Sequence, residues 1–546
     1  MGRGYAAIAT ALLLLTLVPR FWDILKFLPD YMIDENDIVE MAVGFLGGDL
    51  RPPMPRYGPL YGYILALVYR LWAAVVGSDP AELALNVFFR PTGFYYLARF
   101  MNSCLNLLMV VVSYRIARRC LGKRTAAIAL LLAIFPFADL LTAFKVRVDT
   151  LLGLWSSLAV LFALRIVDRG QVKDYVLAGL FFALGVASKP LPALLVLPTV
   201  LLAHYLSVVR DEKRGALLCI PRALLDLRLH SFLIASVVLF LAVNPFALID
   251  FQTFWDRQVG LILNEGSRPF PPGWHLSRFY ARLGPAFVLA SVFSTIYFLG
   301  LAWRKRKDAW LVLVSYPFVF WLAFAPGASR NYFYVPIIPV ITILIAKLIR
   351  DAESRLPATS RGREALCLVL VLLVVGQPAW NLLTSSIRMN RVDYRKIHTG
   401  LAGKDWIENH LAPGTRILLY GFYTDLPRLV DSRAKTQARI GEYFMNDRHR
   451  SSFLRERFKV AHKRYLEEGR PGFLLNAFRR FKGGDERLLE YCRRQKIRYV
   501  VSTFDLTDYP GFENTRIKSF DRSEYEFGQE FAIYRLDRSG PATDGD

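Results

Sequence analysis

The chain has 546 residues, of which 54% are hydrophobic, and a formal net charge of +23. Its mean hydropathy is positive, and apolar runs near the ~18 residues that cross a bilayer recur over most of its length. These properties exclude an ordinary water-soluble enzyme. Cys104, Cys120, Cys219, Cys367 and Cys492 show neither CxxC nor metal-like spacing, and only Cys492 lies outside the hydrophobic region and its loops, so the C-terminal part holds no internal disulfide.

The first apolar run, 5–25, follows Arg3 and could be taken for a signal peptide. No small-residue cleavage site follows; the sequence continues VPRFWDILKFLP, so the run is predicted to remain as an uncleaved span. Directly after it comes DYMIDENDIVE, with five acids in eleven residues. Residues 60–77, LYGYILALVYRLWAAVVG, are apolar enough to span but carry Arg70 near their centre. A charge at that depth costs about 2.5–3.5 kcal/mol on insertion scales. The tyrosines and tryptophan suit the lipid–water boundary, so this piece is predicted to be a surface helix. Ten further apolar runs follow at 93–115, 124–143, 149–168, 174–188, 190–208, 229–250, 284–303, 309–326, 331–349 and 364–383, for eleven spans in all. The pair 174–188 and 190–208, broken by SKPLP, reads as a hairpin with its tip near the external face.

Basic clusters fix the orientation, because cytoplasmic loops collect Lys and Arg. Arg115–Arg124, Arg165–Lys173, Arg210–Arg228, Arg304–Lys307 and Lys347–Arg363 all fall inside if the N-terminus is cytoplasmic. The region 384–546 then lies outside. It loses the long apolar runs and alternates helix-like DWIENHL with strand-like RILLYGF, KIRYVVS and FAIYRL. FLRERFKVAHKRYL and LLNAFRRFKGGDERLLEYCRRQK read as charged faces of surface helices. The fold expectation is a mostly α, polytopic membrane protein: a transmembrane module over 1–383, with 26–92 as an external loop, and an external soluble α/β domain over 384–546. The absence of any N-x-S/T sequon favours a prokaryotic inner membrane.

On this threading, polar groups from remote parts of the chain converge on the external face. Asp34 opens a helical pattern with Ile38, Met41, Ala42 and Phe45 on one side, closed by Gly47-Gly48. It reads either as an N-cap, with Asp37 in a box-like position and Glu35 and Glu40 on a solvated face, or as a partly desolvated proton acceptor. Asp149, in KVRVDT, either starts the next helix or takes part in chemistry between Lys145 and Arg147. Arg51, Arg56, Lys145, Arg147, Lys189, Arg268 and Arg330 run against the positive-inside bias. Each either snorkels to headgroups or grips phosphate, for which Arg offers a fork and Lys a point charge.

Six segments, in this order, resemble the polytopic GT-C glycosyltransferases, specifically family thirty-nine and its bacterial relatives, the protein O-mannosyltransferases and the lipid A aminoarabinose transferase. They are YMIDENDIVEMAVGFLGGDLRPP, RYGPLYGYILALVYRL, FYYLARFMN, KVRVDTLLGLW, AGLFFALGVASKPLPALL and SRNYFYVPIIP. The resemblance covers about 1–350. It implies inverting transfer of one sugar from a polyprenyl-phosphate carrier at the external, periplasmic face. Asp34, with Glu35, matches the family's first-loop acid, and Asp149 its second. Lys189 matches the lysine after the paired short spans, and Arg330, Tyr332 and Pro336 match an Arg–aromatic–Pro motif. The chain departs from the family where relatives carry Glu-Lys-Pro or His-Pro-Pro; here stands Arg56-Tyr57-Gly58-Pro59, without the acid or imidazole. No cofactor is assigned; a divalent cation stays open, with His275 as a candidate ligand. The expected partners are a polyprenyl-phosphate sugar, membrane lipids and a glycan, lipid or protein acceptor, and not nucleic acid. The rival readings are a lipid-linked sugar transporter and a glycan ligase or polymerase.

Overall fold

The computed structural model describes residues 33–52, 57–88, 92–139, 145–212, 216–256, 274–305, 308–324, 331–355, 360–391, 399–411, 417–420, 474–476, 486–494, 496–509, 511–521, 523–524 and 530–536, with isolated residues 14, 17, 21, 24 and 415. The chain divides into two compact units. One holds Met1–Phe27, Pro55–Tyr63 and Leu97–Asn390; the other holds Leu28–Met54, Ile64–Tyr96 and Arg391–Asp546.

Helices α1 (Ile33–Leu46), α2 (Leu60–Val76), α3 (Pro80–Leu85) and α4 (Thr92–Asp139) come first. The predicted span 5–25 lies outside the described residues apart from four positions. Helix α2 confirms the helix expected at 60–77. Its buried side runs Tyr61, Leu65, Tyr69, Ala73, a spacing of four, while Leu67, Leu71 and Val75 are exposed with Arg70. Helix α3 has Asp79 as N-cap, accepting from the Ala81 and Glu82 N–H groups at 2.8 and 3.1 Å, and Pro80 as its first residue. In α4, Gly122 at φ 82 turns the chain inside RIARRCLGKR, so the two predicted runs are separate helical pieces meeting at the basic cluster. A side chain at that backbone angle is strained.

Helices α1, α3 and most of α2 belong to the second unit; the first holds most of α4 and then α5 (Val148–Arg169), α6 (Val172–Ser188), α7 (Pro190–Leu194), α8 (Leu197–Glu212), α9 (Ile220–Leu225), α10 (Leu227–Val243), α11 (Phe246–Ile249), α12 (Trp274–Lys305), α13 (Asp308–Phe324), α14 (Ile338–Arg355) and α15 (Ser360–Arg391). All ten runs after the first therefore fall on helices. Five described helical stretches are long and apolar enough to cross a membrane: Gly93–Phe135, Val148–Arg169, Pro190–Glu212, Leu283–Ala302 and Gly362–Asn381. Leu60–Val76, Leu227–Val243 and Asp308–Ala323 are shorter apolar helices. Helix α5 is the centre of this unit: α6, α8, α13, α14 and the 3-10 helix Asn331–Ile337 all pack on it. Its buried residues include Leu151, Leu152, Leu154, Ala159, Val160, Ala163 and Ile166, which surround the axis rather than forming one stripe. Both arms of the expected 174–208 hairpin lie against α5.

The second unit carries α16 (Thr399–His410), α17 (Glu486–Arg494) and a sheet of β1 (Ile417–Tyr420), β2 (Leu474–Asn476), β3 (Tyr499–Ser502), β4 (Arg516–Phe520) and β5 (Phe531–Arg535) in the order β2-β1-β3-β5-β4. β1 pairs parallel with β2 and β3, whereas β5 runs antiparallel to β3 and β4. The side-chain period of two sends Ile417, Val501, Phe531 and Ile533 to one face, with Ile407 of α16. Leu418, Val500, Ala532 and Tyr534 go to the other, with Leu488 and Cys492 of α17. A sheet covered on both faces reads as continuous apolar runs, which is what ILLY, YVVS and FAIY are. Three of the five strands were predicted. β4 was not, because exposed Arg516 and Lys518 interrupt its pattern. Leu474–Asn476 is a strand and not part of a charged helix, a correction to the reading of LLNAF; FLRERFKVAHKRYL lies outside the described residues.

Candidate active site

The acids after the first apolar run sit on α1. Asp34 is its second residue, within the first turn rather than capping it, and its side chain lies outside the described residues. The expected solvated face is not present. Glu35 is 1% exposed and Glu40 6%, and every residue from Ile38 to Leu46 is buried. The apolar spacing was legible, but burial extends beyond the apolar face, so Glu35 and Glu40 are desolvated rather than hydrated. The helix ends at Gly48, with the Gly48 N–H on Phe45 O at 3.1 Å and the Asp49 N–H on Gly44 O at 3.1 Å, a Schellman closure.

The second acid is built from backbone outward. Lys145, Val146 and Arg147 precede α5 and are all buried, and Arg147 is extended (φ −144, ψ 132). Asp149 is the second residue of α5, so it too stands in the first turn and does not cap. There the unsatisfied N–H groups favour a carboxylate. Forty residues later, α6 must stop before Pro190, because a residue preceding proline is pushed out of helical geometry. Lys189 is accordingly extended (φ −153, ψ 99), with its N–H on Gly185 O at 2.9 Å. From this corner its Nζ donates to Asp149 Oδ1 at 2.8 Å, and the two residues are 9% and 2% exposed. An ion pair this dry is maintained only with good geometry. Lys145 and Arg147, which precede Asp149 in the sequence, are buried as well.

Two further pieces of the sequence-derived site reach the same end of α5. Gly58 donates its N–H to Ser188 O at 3.0 Å, which puts the Tyr57-Gly58-Pro59 turn beside Lys189. Pro336, in the 3-10 helix Asn331–Ile337, approaches Gly153, one turn along α5 from Asp149: its Cα is 3.4 Å from where a side chain at Gly153 would begin. Tyr332 lies on that 3-10 helix with its side chain outside the described residues, and Arg56, Arg268 and Arg330 lie outside them altogether. His275 is on α12, its side chain likewise outside. Among the described residues no three of His, Cys, Asp and Glu gather as a metal site.

Sequence reasoning did not single out Gly58 or the buried polar face of α4. Arg99, Asn102 and Asn106 are 1%, 0% and 0% exposed, and Tyr61 Oη donates to Asn102 Oδ1 at 3.1 Å. The signal for this face is a run of polar residues at helical spacing inside an apolar span.

Residues 94–241, well under half of the chain, match the family model described as dolichyl-phosphate-mannose-protein mannosyltransferase. No curated protein sequence matches the chain. Among solved structures, ArnT from Cupriavidus metallidurans in the apo state is similar with a TM-score of 0.56 at 14% identity, covering 99% of each chain. The same protein bound to undecaprenyl phosphate gives 0.55 at 15%, covering 98% of this chain and 99% of that one. The apo oligosaccharyltransferase of Archaeoglobus fulgidus gives 0.52 at 13%, covering 92% of this chain and 70% of that one. Helices long enough to span, a small terminal sheet and likeness over nearly the full length together show that the chain has the GT-C fold of membrane glycosyltransferases.

Proposed function

We propose that the protein is an integral-membrane glycosyltransferase that moves a single sugar from a polyprenyl-phosphate donor to an acceptor hydroxyl at the external face of an inner membrane. The observation that carries this reading is the buried Asp149–Lys189 pair, with Lys145 and Arg147 buried beside it in the sequence. A departing lipid phosphate gains charge in the transition state, and fixed, desolvated cations favour that charge far more than water-exposed ones. Asp149 holds and aims the Lys189 ammonium, and Arg147, Arg56, Arg330 and Tyr332 complete the grip on phosphate. Asp34, backed by Glu35, accepts the acceptor's proton. The acceptor oxygen forms its bond to the anomeric carbon as the bond from that carbon to the phosphate oxygen breaks. The phosphate leaves with the electron pair, and the anomeric centre inverts in one displacement. Residues 384–546 form the external domain, and the positions of the basic loops support this orientation. Support for the donor class comes from the mannosyltransferase family model over 94–241 and from the undecaprenyl phosphate bound by the similar ArnT.

The test is Asp34→Asn in membranes supplied with labelled polyprenyl-phosphate sugar. Loss of a general base is expected to reduce transfer by about 10²–10⁴-fold. Undiminished transfer would remove Asp34 from the role. Movement of the unaltered labelled lipid between leaflets, with no acceptor modified, would replace the proposal by a transporter.

A further inference from the structure

We propose that Gly58 is a positioning residue for the phosphate-binding amine: it keys the Tyr57–Leu60 turn into the backbone of Ala187 and Ser188, and so sets the corner from which Lys189 reaches Asp149. The inference rests on the assignment of Lys189 to the donor phosphate.

The argument is steric. Gly58 has no positive φ, so its backbone does not itself demand glycine. The space does. A Cβ at this position would overlap the Ala187 carbonyl group and would stand 3.1 Å from Ser188 N. The obstacle is main chain and cannot rotate away as a side-chain tip does. Gly58 N–H meanwhile donates to Ser188 O at 3.0 Å, which fixes register as well as distance. The turn is anchored at its other end by the Tyr61 hydroxyl on Asn102, and Ser188 Oγ donates to Leu184 O at 2.8 Å. Any displacement forced at Gly58 is therefore delivered to the residue that precedes Lys189. At the other close glycine of this region, Gly153, the nearest atom is a side-chain one, the Met109 sulfur at 2.6 Å, and not main chain. Misplacing a catalytic or binding group by about 1 Å can cost on the order of 10²-fold.

The experiment uses the full chain in detergent, titrated with undecaprenyl phosphate and, as control, undecaprenol. Lys189→Met and Gly58→Ala are each expected to weaken undecaprenyl phosphate binding by about tenfold or more, while undecaprenol is unaffected. The combination is expected to bind no worse than Lys189→Met alone, because residues acting through one another are not additive. Pro59→Ala adds no atom to the packed backbone and frees the turn; it is expected to give a smaller, Lys189-dependent loss even if Gly58→Ala fails to fold. A Gly58 variant that binds like the parent, or losses that multiply in the combination, would overturn the positioning role while leaving Lys189 in place. Unchanged binding in Lys189→Met would overturn both assignments.

Discussion

Asp149→Asn keeps the shape of the side chain and removes its charge, 2.8 Å from the Lys189 ammonium. The side chains of the pair are 3% and 11% exposed, so water cannot replace the lost carboxylate. Removing one member of such a pair costs about 3–5 kcal/mol. At about 2 °C per kcal/mol for a large domain, the thermal midpoint of the purified protein is expected to fall by about 6–10 °C. Lys189→Met retains the apolar stem and removes the charge, and should also lower the midpoint, because it leaves the Asp149 carboxylate without its ammonium partner. The decisive variant is the double, Asp149→Asn with Lys189→Met. It leaves neither charge behind, so its loss should be smaller than that of Asp149→Asn alone, a coupling of at least about 2 kcal/mol. Midpoints of the four proteins, followed by intrinsic fluorescence in one detergent, complete the cycle. A double variant that loses the sum of the single losses would refute the claim that the pair is buried and mutually dependent.

Two expectations concern the C-terminal sheet and its helices. The Thr507 N–H and hydroxyl, at 3.0 and 2.7 Å, hold the Asp505 carboxyl below the usual carboxylate range. A depressed folded value contributes stability above the unfolded value near pH ~3.9, lost as pH falls through the folded value. Protection of the β3 and β5 amides, taken relative to their intrinsic exchange rates, should therefore fall in acid, and Asp505→Asn should flatten that dependence; an unchanged profile would count against the interaction. Burial pushes the Cys492 thiol up to about 12. With almost no thiolate present at pH 8, Cys492 should resist maleimide in the native protein and react after denaturation, as read by mass spectrometry. Rapid native labelling would show that this face of α17 is not packed on the sheet.

Much of the fold was legible because hydrophobic periodicity is a local property. The apolar runs marked helices α4 to α15, α9 apart, nearly in place, and the SKPLP break marked where α6 must end. The strands ILLY, YVVS and FAIY announced themselves as doubly buried segments. β2 escaped because three residues beside a basic run carry too little pattern. Asp149 and Lys189 could each be nominated from chemistry, as acids and cations at the ends of apolar runs. Their 2.8 Å contact could not, since nothing local in sequence encodes a distance between residues forty positions apart.

The sequence by itself determined that this chain spans a membrane, where its helices lie, and which charged residues stand at their ends. Those follow from the transfer energetics of each segment taken alone. Tertiary structure decided the environment of each group. It showed that Glu35 and Glu40 are buried, that Lys189 meets Asp149, and that Gly58 is a glycine for lack of space. Burial and contact depend on what packs against a segment, and the packing partner is chosen by the whole chain.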